Sequence, residues 1–174
     1  MSHSTNQRIR ALCRASSALA LAGAASIGPA HATDWKGYAG VNCLAQTNNH
    51  AVRRSAVNHA ALANTGTSMI TVFCPVVRDV AEGGNNRVIA VRVLMRNRNS
   101  SVAGRCEFSS HNINGIKIDS RSAVVPPNSF DPVDLGPVDA HNWGSYVLSC
   151  QLPGRDAATN LQSYIVNYRV DEAL

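Results

Sequence analysis

Residues 144–153 read GSYVLSCQLP. Tyr146, Leu148, Cys150 and Leu152 alternate with Val147, Ser149 and Gln151. Successive side chains of a strand point to opposite faces, so this spacing predicts a strand with one apolar face. Cys150 lies on that face, which places its sulfur in a core. The same period recurs on either side. RVIAVRVLMR (87–96) puts Ile89, Val91, Val93 and Met95 on one face and Arg92 and Arg96 on the other. In VAGRCEFSS (102–110), Val102, Cys106 and Phe108 share a face while Arg105 and Glu107 point away. LQSYIVNYRVDE (161–172) aligns Tyr164, Val166, Tyr168 and Val170. Weaker strands are expected at 40–46, 57–64, 68–74, 115–119 and 122–126.

Turn material fills the gaps. Gly83-Gly84-Asn85-Asn86 reads as a hairpin tip, and Asn114-Gly115 suits a type I′ turn. Asn64 to Gly66, Asn97 to Ser101 and Pro126 to Asn128 are further breaks. Asparagine is frequent here because it tolerates positive φ. Helical periodicity is poor throughout. Many short strands joined by Gly, Asn and Pro turns predict an all-β fold, an antiparallel β-sandwich.

The first residues have the parts of a secretory signal. Arg8, Arg10 and Arg14 form a basic head, residues 15–27 an apolar run too short to span a bilayer, and Ala30-His31-Ala32 a cleavage site. The expected organisation is a signal peptide over 1–32 and a single β-sandwich domain over 33–174. Cleavage would remove Cys13 and leave Cys43, Cys74, Cys106 and Cys150, an even set that signals paired disulfides in an exported chain. Four cysteines allow three pairings. Cys43–Cys74 with Cys106–Cys150 is preferred, because each bridge then joins two β segments within one half of the chain. The expected location is secreted or periplasmic, with no membrane span in the mature chain.

The chain of 174 residues carries 16 Lys and Arg against 11 Asp and Glu. Three arginines would leave with the signal and no acid, so 33–174 holds 13 basic against 11 acidic residues. A nucleic-acid partner needs a clustered basic face, and the sequence shows scattered arginines, of which Arg92, Arg96 and Arg98 come nearest to a stripe. No nucleic acid and no cofactor are expected.

Catalytic signatures are sparse. No G-x-S-x-G elbow, P-loop or G-x-G-x-x-G stretch occurs, and His50, His59, His111 and His141 form no H-x-H or H-x-x-x-H pair. The cysteines stand too far apart for the close pairs of a zinc site. The unusual segment is FDPVDLGPVDAHNWGSY (130–146). Asp131, Asp134 and Asp139 are hard oxygen ligands without a calcium-loop spacing, and fit a proline-stiffened connection whose acids face water. Trp143 beside Asn142 and Asp139 offers an apolar ring with planar polar groups, the mix that holds a sugar. Trp35-Lys36-Gly37-Tyr38 is a second aromatic pair, read as pinning the N-terminus of the mature chain to the sheet. Asn99-Ser100-Ser101 matches the N-x-S acceptor pattern.

Cys74-Pro75 closing an early strand, Cys106-Glu107-Phe108 in mid-chain, the Tyr-x-Leu-x-Cys-x-Leu-Pro of 146–153 and the Ile-x-x-Tyr-x-Val-x-Glu of 165–172 together resemble small exported, β-rich, two-disulfide proteins of Gram-negative bacteria. The resemblance implies a fold and a compartment, and carries over no catalytic residue. The expected function is therefore a non-enzymatic domain acting by surface contact with an unknown protein or glycan. The alternatives are a carbohydrate-binding module using Trp143, Asn142 and Asp139, an inhibitor of a secreted enzyme presenting the 126–143 loop, and a hydrolase using His141 with Asp139 or Asp134.

Overall fold

The computed structural model describes residues 34–46, 52–56, 58–77, 87–139 and 144–172. The strands are β1 (Asp34–Ala39), β2 (Leu44–Ala45), β3 (Val52–Arg54), β4 (Leu62–Asn64), β5 (Ile70–Pro75), β6 (Arg87–Arg96), β7 (Gly104–His111), β8 (Lys117–Val125), β9 (Pro132–Asp134), β10 (Val138–Asp139), β11 (Ser145–Leu152) and β12 (Tyr164–Glu172). They form two sheets, and every pairing is antiparallel. A seven-stranded sheet runs β10-β6-β12-β4-β3, with β1 also on β12 and β9 also on β6. A five-stranded sheet runs β2-β5-β11-β7-β8. No helix among the described residues is long and apolar enough to cross a membrane.

The core lies between the sheets and follows the alternation. Val91, Val93 and Met95 of β6 meet Cys106 and Phe108 of β7 and Leu148, Cys150 and Leu152 of β11, all fully buried. Tyr146 is buried against Phe108, ring centres 5.4 Å apart. Both expected bridges are present: Cys43–Cys74 ties the start of β2 to β5, and Cys106–Cys150 joins directly opposed residues of β7 and β11. They close segments with separations of 31 and 44 residues. Closing loops of that size stabilises a domain by about 4 kcal/mol each in the chain-entropy model.

Several local readings change. Of the strand expected over 40–46, only Leu44–Ala45 pairs; Gly40–Asn42 are a 3-10 turn that carries the chain from one sheet to the other. Gly40 packs so tightly that a Cβ there would stand 2.1 Å from the Ile165 carbonyl oxygen. Of the described residues 58–64, only Leu62–Asn64 are strand. The strands expected at 115–119 and 122–126 are one, β8. Its hairpin with β7 closes over residues 112–116 rather than as a two-residue turn: the Asn112 carboxamide accepts from the amides of Asn114 and Ile116, and Gly115 takes φ +75°. Residues 83–86 lie outside the described residues, but β5 and β6 belong to different sheets and are not hairpin partners. Val102 precedes β7 and is exposed rather than core.

β12 breaks its own alternation. A register shift between Ile165 and Asn167 inserts one extra residue against β6. Such a bulge flips the side chains beyond it to the other face. Ile165, Tyr168 and Val170 therefore face the core, while Tyr164 and Val166 pack outside it against Ala61 and Ala63.

The asparagines do more than shape turns. Only Asn128 and Asn160 take positive φ among the described asparagines. Asn97 is buried, and its amide donates to the carbonyls of Val102, Val125 and Pro126 while its oxygen accepts from the amide of Asn99 and the hydroxyl of Ser163. Asn64 likewise bridges Ser68 and Leu152. Asn99 donates to the Gly154 carbonyl and accepts from the amides of Ser101 and Val102, which closes the N-x-S site to modification in the folded chain. Buried amides substitute for ladder partners where connections leave carbonyls open.

Candidate functional site

The outward face of the five-stranded sheet carries the alternate residues of β5, β7 and β11. Register sets them in rows. Thr71 stands opposite Gln151, and Gln151 opposite Arg105. In the next row Leu44, Phe73, Ser149, Glu107 and Ser122 lie side by side across all five strands. With strands about 4.8 Å apart this row spans about 19 Å.

Two hollows share the face. Thr71, Arg105, Glu107, Ser149 and Gln151 line a polar groove of about 300 Å³. Beside it, Leu44, Phe73, Pro75 and Val147, with Cys74 and Tyr146 below, line an apolar hollow of about 440 Å³. Phe73 of the second is the direct cross-strand neighbour of Ser149 of the first. Phe73 is 40% exposed and Leu44 71%, although both are large apolar side chains. The polar rim is braced: Arg105 donates to the Ser122 hydroxyl at 2.8 Å, and Glu107 is ion-paired with Lys117. Glu107 is the single carboxylate among the five groove residues, and Lys117 engages it. The groove thus offers hydrogen-bond donors and acceptors, not the paired carboxyls of acid–base hydrolysis.

The expected loop site is only partly described. Asn142, Trp143 and His141 lie outside the described residues. Asp139 is exposed on β10, which pairs with β6. Its amide donates to the Asp119 carboxylate at 3.0 Å, and its carbonyl accepts from the Ser110 hydroxyl. That amide is the largest influence holding the Asp119 carboxyl below its usual range. Asp134 is held by both arms of the Arg92 guanidinium, at 2.7 and 3.1 Å. Asp131, Asp134 and Asp139 are all exposed, and no cluster of three or more potential metal ligands occurs among the described residues. Of the N-terminal aromatic pair, Tyr38 pins β1, stacking on Tyr168 of β12 with ring centres 4.9 Å apart, while Trp35 is exposed.

Arg105, Glu107, Ser149 and Gln151 were individually legible as lying opposite an apolar face, whereas Thr71 had no face assigned. Their meeting was not, because Thr71, Arg105, Glu107, Ser149 and Gln151 come from three distant segments that register alone unites.

Two antiparallel sheets facing across one core define a β-sandwich, and comparison with known proteins agrees on that class. No protein-family model and no curated sequence matches the chain. Among solved structures, the chain is similar to the CBM22-1 xylan-binding domain of Paenibacillus barcinonensis Xyn10C, with a TM-score of 0.50 and 15% identity over 83% of this chain and 97% of that one. The low-affinity xylan-binding module CBM86 of Roseburia intestinalis gives 0.48 and 7% over 80% and 96%. The CBM36-1 domain of a multidomain xylanase from the hindgut metagenome of Trinervitermes trinervoides gives 0.43 and 8% over 79% and 96%. At these identities the likeness is one of fold.

Proposed function

We propose that the chain is an exported, non-enzymatic carbohydrate-binding module whose outward five-stranded face holds a neutral polysaccharide. The observation that carries this reading is the pairing of exposed Phe73 with the polar groove of Thr71, Arg105, Glu107, Ser149 and Gln151. Sugar rings present an apolar face and a rim of hydroxyls. An aromatic shelf beside convergent donors and acceptors matches both. The row from Leu44 to Ser122 is long enough for several sugar units rather than one. The sandwich shared with a xylan-binding domain supports the class and leaves the sugar open. Export is supported by the residue pattern of 1–32 and by two disulfides, which persist in oxidising compartments. A Gram-negative exported group remains the source that the sequence motifs suggest.

A broad neutral-glycan array and pull-down on insoluble xylan test the reading. Binding that falls about tenfold in Phe73→Ala and in Gln151→Ala supports it; a tenfold change is the scale of one hydrogen bond or one stacked ring. No binding across the array, or binding indifferent to both changes, defeats it. Binding lost only in Trp143→Ala would move the site to the 139–143 loop.

A further inference from the structure

The opposite face of the sandwich carries a second arrangement, built on β1 and β12. Trp35 and Gly37 point to the same outward side of β1. Gly37 sits in mid-strand, where glycine costs stability and often marks the close approach of a ligand. A Cβ built there meets nothing within 4 Å, so the space above this backbone is open. One edge of the gap is the Trp35 indole, 44% exposed. The other is Arg169 of β12, directly opposite Gly37 in register and exposed. Opposed Cα atoms in such a pair are about 5 Å apart.

The Arg169 side chain has no hydrogen-bond or ion-pair partner among the described residues. Its neighbour on the other side is Arg92 of β6, also directly opposite. Like charges in that position repel. Arg92 is answered by the two-pronged contact with Asp134, which stands beyond it in the same row. Arg96, four positions along β6, lies over the Phe130 ring at 4.8 Å. The row Asp134, Arg92, Arg169, Gly37 therefore ends in a guanidinium without an ion pair, beside an open gap and an exposed indole, with the buried Asp171 opposite Trp35 two positions further along β12.

We propose that Trp35, Gly37 and Arg169 form a second binding site, selective for a uronic acid unit of an acidic polysaccharide. The sugar ring lies against the indole over Gly37, and its carboxylate takes the planar guanidinium fork of Arg169. A neutral sugar leaves that cation unmatched. This site shares no residue with the five-stranded face, and each stands or falls separately.

Affinity electrophoresis of the purified protein through gels containing polygalacturonate, and through the same polymer fully methyl-esterified, tests it. The variants are Trp35→Ala, Arg169→Gln and Gly37→Val, each made and compared in a Phe73→Ala background that removes the aromatic shelf of the five-stranded face. Valine is at home in a strand and its Cβ here enters open space, so Gly37→Val is the change chosen to fill the gap, with unchanged thermal unfolding expected of it. In that background retardation by polygalacturonate but not by its ester is expected, weakened about tenfold by each of the three changes, a factor on the scale of one hydrogen bond or one stacked ring. Equal retardation by the ester, no retardation by the acid form, or retardation that ignores all three changes overturns the site. Retention in dextran sulfate that is independent of Trp35 and matches that in polygalacturonate also overturns it, as the mark of a bare basic patch.

Discussion

The hydroxyl of Tyr168, at the centre of the seven-stranded sheet, donates to the carbonyl of Pro75 in the five-stranded sheet at 2.6 Å. Pro75 ends β5, and this bond crosses the core. Tyr38 reinforces the link: its ring stacks on Tyr168, and its hydroxyl exchanges hydrogen bonds with the backbone of Val77, 3.2 Å each way. Burial pushes the Tyr168 phenol well above its ordinary pKa, with Tyr38 adding to the shift, so it remains a donor across the working pH range. Tyr168→Phe keeps the ring and loses the bond, leaving the Pro75 carbonyl without this donor. A loss of about 1–2 kcal/mol in urea unfolding is expected, from the usual worth of one buried hydrogen bond. No change in midpoint would show that the two sheets are held by packing alone.

The Cys106–Cys150 bridge joins strands that already pair, so its removal should leave the fold and lower its stability. The double change Cys106→Ala, Cys150→Ala is expected to cost on the order of 4 kcal/mol, less whatever the strand pairing retains in the unfolded chain. Thermal unfolding measured by circular dichroism, with and without reductant, reads this directly. Wild type insensitive to reductant after full thiol exposure would contradict a stabilising role.

Asn97→Ala strips partners from three backbone carbonyls and from the Ser163 hydroxyl at once. The expected cost is about 2–4 kcal/mol, because buried groups left unsatisfied lose their full solvation. Asn97→Asp is a sharper probe. It is nearly isosteric but replaces a donor with an acceptor facing three carbonyls, and it should destabilise at least as much. A mild effect of both would place water at the site.

Asp156 accepts from the hydroxyl and amide of Ser100 and from the amides of Ala158 and Thr159, with the Ser100 hydroxyl the strongest influence. These donors hold its carboxyl well below the ordinary 3.8. A depressed folded-state pKa contributes stability above the unfolded value and loses it as pH falls. Wild type should therefore weaken progressively below about pH 4, whereas Asp156→Asn should be weaker at neutral pH and show a flatter acid limb. Parallel acid limbs in chemical denaturation at pH 2–7 would exclude Asp156 as a contributor.

The sequence made the sandwich readable where one face of a strand is apolar and the other polar. Residues 87–96 and 144–153 meet that condition, and Val91, Val93, Leu148 and Cys150 fall where their spacing requires. Residues 161–172 do not. Tyr164, Val166, Tyr168 and Val170 make an apparent period of two, yet Ile165 between them is equally apolar, so either face could be the inner one. The bulge chooses Ile165, because it is the residue that fits against Met95 and the tight turn at Gly40. The polar groove was hidden for another reason. Arg105 and Gln151 are 46 positions apart and become neighbours only when β7 and β11 adopt one register among several that Cys106–Cys150 then fixes. Trp35 and Arg169 are further apart still.

That last separation bears on the order in which the protein can be assembled. Lys36 of β1 reaches Glu172 of β12, 136 positions away in sequence, in a contact of 2.8 Å. β12 also supplies the partner for β4 and the long partner for β6. The earliest and latest strands described thus meet in the middle of the larger sheet. A growing chain emerging from the ribosome lacks that central strand until Tyr164–Glu172 have been made, and contacts so remote in sequence form late. Until β12 is made, β1, β4 and β6 have no common partner, and the larger sheet stands in separate pieces.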